Sequence, residues 1–164
     1  TSKLLQGHTS RIWGVAFSPN GNLLASCSTD QTIKLWNLDT DQCIKTLTGH
    51  TNWIFALAFS PDGNLLASAS HDRTVRLWKV ETAECTQVCS GHTHLVSSVA
   101  FSPDGAFVAS GSQDQTVRIW NVNTKECDRV LIAKRLYEGM KLTDVKGLTQ
   151  ATISTLQTLG AIVE

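Results

Sequence analysis

A histidine, a serine and an aspartate recur at one fixed interval, and these are the residue types of nucleophilic hydrolysis. His8, Ser26 and Asp30 return 42 residues later as His50, Ser68 and Asp72, and again as His92, Ser110 and Asp114. A serine whose proton is taken by an imidazole that a carboxylate orients is the machinery of acyl transfer. Repetition weighs against that chemistry. An enzyme needs one asymmetric site with an oxyanion hole and an accessible nucleophile, whereas here the same set stands in every unit. A hydrolase would lose turnover on changing only one of Ser26, Ser68 or Ser110; a structural set would suffer equally from all three. The spacings of a phosphate loop (Gly-x-x-x-x-Gly-Lys), a dinucleotide turn (Gly-x-Gly-x-x-Gly) and a zinc protease (His-Glu-x-x-His) do not occur. The expectation is a chain with no catalytic residue and no cofactor.

Metal and disulfide chemistry are the next classes to weigh. The five cysteines are an odd number, with no secretory signal at the start of the given sequence, so a disulfide framework is not expected. Cys43, Cys85 and Cys127 follow the 42-residue interval on strand-like runs and read as a repeated, buried packing position. Zinc favours close ligand pairs; the near pair Cys85 and Cys89 has no third ligand at a usual distance, and no metal site is expected.

The elements that must hold these residues follow from the same period, which marks a repeat architecture. Gly7-His8-Thr9, Gly49-His50-Thr51 and Gly91-His92-Thr93 open three units. Phe17-Ser18-Pro19, Phe59-Ser60-Pro61 and Phe101-Ser102-Pro103 come next, each followed by Asn-Gly or Asp-Gly: Asn20-Gly21, Asp62-Gly63 and Asp104-Gly105. Those pairs are hairpin turns, because they tolerate positive φ. Trp36, Trp78 and Trp120 stand near the unit ends. Between the landmarks of the first unit lie strand-like runs at 12–17, 22–28, 32–38 and 42–47, with counterparts in the other two. The first run, Ile12 to Phe17, is apolar almost throughout, which requires cover on both faces. Four-stranded units packed face to face around an axis would supply it.

Fourteen basic residues balance fourteen acidic ones among 164, so no charge excess draws the chain to phosphate or to an anionic membrane. Nucleic acid and membrane are not expected partners. No apolar run reaches the roughly 18 residues of a spanning helix, and the chain reads as cytoplasmic. Charged residues are scarce at 17%, against about 25% in an average domain, which suits a turn-rich β protein.

These landmarks resemble the WD-repeat (WD40) β-propeller family, whose repeats carry Gly-His near the start and Trp-Asp near the end. The likeness covers residues 7 to about 132, although the final pairs here are Trp36-Asn37, Trp78-Lys79 and Trp120-Asn121. It implies an all-β fold of three four-stranded antiparallel blades, repeats 7–48, 49–90 and 91–132, forming an open sector or part of a larger ring. It further implies a buried hydrogen-bond chain from Trp to Ser to His to Asp in each blade: Trp36, Ser26, His8 and Asp30; Trp78, Ser68, His50 and Asp72; Trp120, Ser110, His92 and Asp114. Joined in a chain, groups that would each be costly to bury alone satisfy one another.

Three blades are fewer than the four to eight of closed propellers, so further blades are expected, from upstream sequence or from self-association. Residues 1–6 read as a surplus outer strand of a preceding blade. Residues 133–164 read as a tail with a helix over 149–159, serving as a cap on the last blade or as a docking helix. This tail is similar to those that follow the last WD repeat in large bacterial proteins, especially cyanobacterial ones, through words such as Tyr137-Glu138-Gly139-Met140.

Recognition is expected where the frame repeats but its contents vary, on the loops that enter each first strand and meet at the channel mouth. The variable positions are Arg11 and Trp13; Trp53 and Phe55; His94, Leu95 and Ser97; and, before each Asp, Thr29, His71 and Gln113. Trp and Arg dominate protein-binding hot spots. Trp13 and Phe55 would otherwise wedge between blades, and His71 and His94 would be polar surface residues without identifiable partners. The resulting expectation is a non-catalytic protein-interaction scaffold, the C-terminal part of a larger signalling or regulatory protein. The alternative is a small-molecule or glycan receptor using the aromatic rim.

Overall fold

The computed structural model describes residues 4–132 together with Ser154. It is all-β over 4–132, with twelve strands in three four-stranded antiparallel sheets, each meandering in chain order. Blade 1 comprises β1 (Ile12–Phe17), β2 (Leu23–Ser28), β3 (Ile33–Asn37) and β4 (Gln42–Leu47). Blade 2 comprises β5 (Ile54–Phe59), β6 (Leu65–Ser70), β7 (Val75–Lys79) and β8 (Cys85–Cys89). Blade 3 comprises β9 (Val96–Phe101), β10 (Phe107–Ser112), β11 (Thr116–Asn121) and β12 (Cys127–Ile132). No helix among the described residues is long and apolar enough to cross a membrane.

Turn chemistry sets the meander. Gly21, Gly63 and Gly105 take φ of 79°, 74° and 72°, as the Asn-Gly and Asp-Gly pairs require. Each turn is tied by a serine: Ser18, Ser60 and Ser102 donate through Oγ to Asn20, Asp62 and Asp104 at 2.7, 2.5 and 2.5 Å. The Ser60 hydroxyl is the main cause that lowers the Asp62 carboxyl below its ordinary value.

Two cores lie between the blades. Ala25, Cys27, Ile33 and Leu35 of blade 1 bury against Ile54, Leu66 and Trp78 of blade 2; Ala67, Ala69, Val75 and Leu77 of blade 2 bury against Val96, Val108 and Trp120 of blade 3. The innermost strands approach closely. A Cβ on Gly14 in β1 would lie 2.9 Å from the Phe55 carbonyl of β5, so glycine there sets the spacing.

Residues 4–6 lie in no strand, and Leu4 is exposed. The structure corrects two expectations. Cys43, Cys85 and Cys127 are exposed, while Cys27 and Cys89 are the buried thiols. The fixed interval places the former on outer strands, where one face meets solvent, and burial pushes the Cys27 and Cys89 thiols up to about 12. Finally, β1 is not covered on both faces: Phe17 is 66% exposed, whereas Ile54 in β5 is 1% exposed. The tail helix expected over 149–159 lies outside the described residues, Ser154 excepted.

Candidate functional site

The polar quartets form three equal chains. Trp36 Nε1–H donates to Ser26 Oγ (2.8 Å), Ser26 Oγ meets His8 Nε2 (2.8 Å), and His8 Nδ1 meets Asp30 Oδ2 (2.8 Å). Around Ser68 and His50 the distances from Trp78 to Asp72 are 2.8, 2.7 and 2.7 Å; from Trp120 through Ser110 and His92 to Asp114 each is 2.8 Å. The direction of the chain follows from its first member. An indole N–H can only donate, so the serine oxygen accepts it and gives its own proton to Nε2, which leaves the ring proton on Nδ1, aimed at the carboxylate.

Each aspartate gathers further donors. Asp72 accepts Thr74 Oγ1–H at 2.6 Å, Thr74 N–H at 3.0 Å and Thr51 N–H at 3.1 Å; Asp30 and Asp114 do the same with Thr32 and Thr9, and with Thr116 and Thr93. Burial works to raise these carboxyls, but the combined hydrogen bonds outweigh it and hold all three well below the usual carboxylate range. Gln31, Arg73 and Gln115, between Asp and Thr, take φ near 70° (68°, 71° and 67°), the bend that lets one carboxylate hold the threonine two residues on. The serine two residues before each Asp, at 28, 70 and 112, accepts its backbone N–H at 3.0, 3.1 and 3.1 Å.

The rim is built beside these chains. The two loops of each blade are tied by backbone bonds from Thr29 N to Arg11 O (2.9 Å), His71 N to Trp53 O (2.8 Å) and Gln113 N to Leu95 O (3.1 Å). The β1–β2, β5–β6 and β9–β10 pairings each shift register where Trp13, Phe55 and Ser97 stand. These are β-bulges, which re-aim a side chain, and they lie at the one repeat position whose occupant changes from Trp to Phe to Ser.

A groove of about 380 Å³ is lined by Ser10, Arg11, Trp13, Thr29 and Trp53. A second, of about 490 Å³, brings together His71, His94, Leu95 and Gln113 with Asn52 and Arg73. Phe55 and Ser97 line neither. Phe55 instead meets Trp13 edge-on at 5.5 Å and His71 at 6.1 Å, while Trp53 also meets His71 at 5.7 Å. The Arg11 guanidinium lies 5.4 Å from the Trp13 ring centre. His71 is therefore not a partnerless surface residue, since Asn52 Nδ2 also lies 3.2 Å from its Nδ1. Trp13 and Trp53 remain 44% and 45% exposed, so Trp13 both touches the neighbouring blade and faces solvent.

Comparison with known proteins then decides the family: the family described as "WD domain, G-beta repeat" matches residues 1–37, 41–79 and 83–121. The chain belongs to the WD40 repeat family. Similar solved structures include "Crystal structure of RRP9 WD40 repeats" and "Structure of U3-55K", each with a TM-score of 0.78 at 24% identity over 80% of this chain and 42% of that one. Among curated relatives, "Probable cytosolic iron-sulfur protein assembly protein Ciao1" of Drosophila mojavensis is 59% identical over 34 residues, 21% of this chain and 10% of that protein. A homologue of the same description from Nematostella vectensis is 50% identical over 40 residues, 24% of this chain and 12% of that protein. The chain thus spans about a tenth of the length of the curated relatives it matches.

The WD40 blade explains why triad distances do not make a triad. Serine, imidazole and carboxylate are spaced as in a hydrolase, but each serine is at most 3% exposed and its Oγ already accepts an indole N–H. Among the described residues, no group of three or more His, Cys, Asp or Glu is placed to hold a metal ion. Thr32, Thr74 and Thr116 are structural residues that motif reasoning passed over, although they keep the same 42-residue period as the quartets.

Proposed function

We propose that this chain is a non-catalytic protein-interaction platform whose partner docks on the mouth-side rim at Arg11, Trp13, Trp53, Phe55 and His71. One observation carries the reading: two half-exposed indoles are held at rigid strand ends, one on a bulge and beside a guanidinium, in an aromatic run that crosses from blade 1 to blade 2. Pre-ordered Trp and Arg lose little freedom on binding, which is what a hot spot needs. The balanced charge of the chain favours a protein over a nucleic-acid partner. In the larger signalling or regulatory protein of which we take this to be the C-terminal part, of bacterial type by the words of its tail, the rim would be the sensor surface.

Capture of a protein partner by the wild-type chain, lost in Trp53→Ala with an unchanged unfolding midpoint, is the expected result; undiminished capture by that variant refutes the rim. A second reading rests on the groove between Trp13 and Trp53, whose volume of about 380 Å³ falls within the roughly 300–1,000 Å³ of small-molecule sites. Glycan or metabolite binding by calorimetry, abolished by Trp53→Ala without any protein capture, would favour it.

A further inference from the structure

Five histidines stand in the chain, and three of them, His8, His50 and His92, are consumed by the quartets. The remaining two, His71 and His94, line one groove together with Arg73, the space of about 490 Å³ between the mouth-side loops of blades 2 and 3. The repeat shows what is particular to this junction. At the positions of His71, Arg73 and His94, the junction of blades 1 and 2 carries Thr29, Gln31 and Asn52. Neutral residues at three repeat positions are thus replaced by one guanidinium and two imidazoles at a single place, and both blades that build it belong to the described chain.

Hydrogen bonding leaves this groove with spare donors and no free carboxylate. The one carboxylate in its lining, Asp72, is filled: Oδ2 accepts from His50 Nδ1 and Thr51 N–H, and Oδ1 from the hydroxyl and the amide of Thr74. Asn52 is oriented by Trp53, whose N–H its Oδ1 accepts at 2.8 Å. Its Nδ2 therefore donates to His71 Nδ1 at 3.2 Å, and the ring proton of His71 stands on Nε2 as a donor. Among the described residues, neither the Arg73 guanidinium nor the His94 ring has a hydrogen-bond or ion-pair partner. Arg73 is exposed, yet its backbone is fixed in a turn at φ 71°, with its N–H bonded to Ser70 O at 3.2 Å. His71 also meets Trp53 at 5.7 Å, which joins this groove to the half-exposed indole.

We propose that the groove receives a carboxylate side chain of the docking partner, so that the partner segment is an acidic peptide: an Asp or Glu held by Arg73 with His71 and His94, and a neighbouring apolar residue laid on Trp53. A guanidinium offers a carboxylate two parallel N–H donors, and hydrogen bonds to an ionised group are the strong ones. A nucleic-acid strand fits less well, since it carries a charge at every nucleotide and is bound by rows of cations, whereas this groove holds one guanidinium. The inference rests on the rim reading and narrows it to one partner chemistry.

The test selects a displayed library of random peptides on the full chain, sequences the bound pool and measures the selected peptides, made synthetically, by fluorescence anisotropy. Asp and Glu are expected to be enriched over the input. Arg73→Gln and His94→Asn install residues that sister repeats already carry, so the blade accepts them; each should weaken a selected peptide about fivefold or more. Replacing the acidic residue of the peptide by its amide should cost the wild-type chain the same factor and the Arg73→Gln variant much less, which a merely structural role for Arg73 would not produce. Peptides that bind, are lost in Trp53→Ala and yet show no acidic enrichment overturn this inference and leave the rim reading standing, as do peptides indifferent to Arg73→Gln and His94→Asn. A library without any peptide weakened by Trp53→Ala overturns the rim reading and this inference with it. A labelled oligothymidine that binds the wild-type chain and is released by Arg73→Gln overturns the choice of a peptide.

Discussion

Replacing Asp72 by alanine removes one acceptor from four donors, and their burial sets the cost. Thr51 N–H is at the surface and water replaces the carboxylate there at little loss. Thr74 presents its hydroxyl and amide from a half-buried position. The His50 ring is fully buried, so its Nδ1–H is left without an acceptor and bears the desolvation penalty in full. One buried orphan donor at about 1–3 kcal/mol, plus the loss of charge-assisted bonds, comes to about 2–4 kcal/mol. That corresponds to a fall in midpoint of about 5–15 °C for a chain of this size. Thermal and urea unfolding of Asp72→Ala beside Asp128→Ala measures it, the latter being an exposed aspartate paired with the exposed Arg129 and expected to shift stability by less than about 0.5 kcal/mol. Equal midpoints for the two variants would refute the network. The pH dependence checks the same group independently. The folded carboxyl is held below the unfolded one, so the unfolded chain binds the proton first. The stabilisation is present in full above about pH 4 and is lost as pH falls below it towards the folded value, so the gap between wild type and Asp72→Ala should narrow in acid.

Alkylation followed by mass spectrometry should label three cysteines in the native chain, Cys43, Cys85 and Cys127, and Cys27 and Cys89 only in denaturant; fast native labelling of Cys27 would contradict the core between blades 1 and 2. Trp78→Phe keeps most of the buried ring but removes the N–H that Ser68 accepts; it should cost about 1–2 kcal/mol in unfolding experiments, and Trp36→Phe and Trp120→Phe should cost a similar amount. Trp13→Ala should weaken partner capture along with Trp53→Ala while leaving the near-ultraviolet signal of the three buried indoles in place.

The blade frame was legible because its residues repeat for one reason each. Gly21 needs positive φ, Ile33 and Leu35 alternate with Lys34, and His8 and Trp36 keep a fixed distance from Ser26. What the sequence concealed depends on register or on neighbours. The bulges at Trp13, Phe55 and Ser97 are set by how two strands pair, and no run of side chains announces them. Cys43 and Cys27 are the same residue type in similar strand contexts, yet only the position of the strand in its sheet decides which is buried. His71 had no partner by motif because Asn52, Trp53 and Phe55 reach it from across the blade. Exposure of Phe17, against the partial burial of the repeat-equivalent Phe59, follows from which blade stands next to it.

The central claim is that the repeated polar quartets are internal ties and that only the irregular rim faces a partner. Hydrogen exchange of the five indole N–H groups, read in one nitrogen-edited NMR spectrum, tests it most directly. The account predicts slow exchange at Trp36, Trp78 and Trp120, each held by a buried serine oxygen, and fast exchange at Trp13 and Trp53. Exchange at Trp78 as fast as at Trp53 would contradict it.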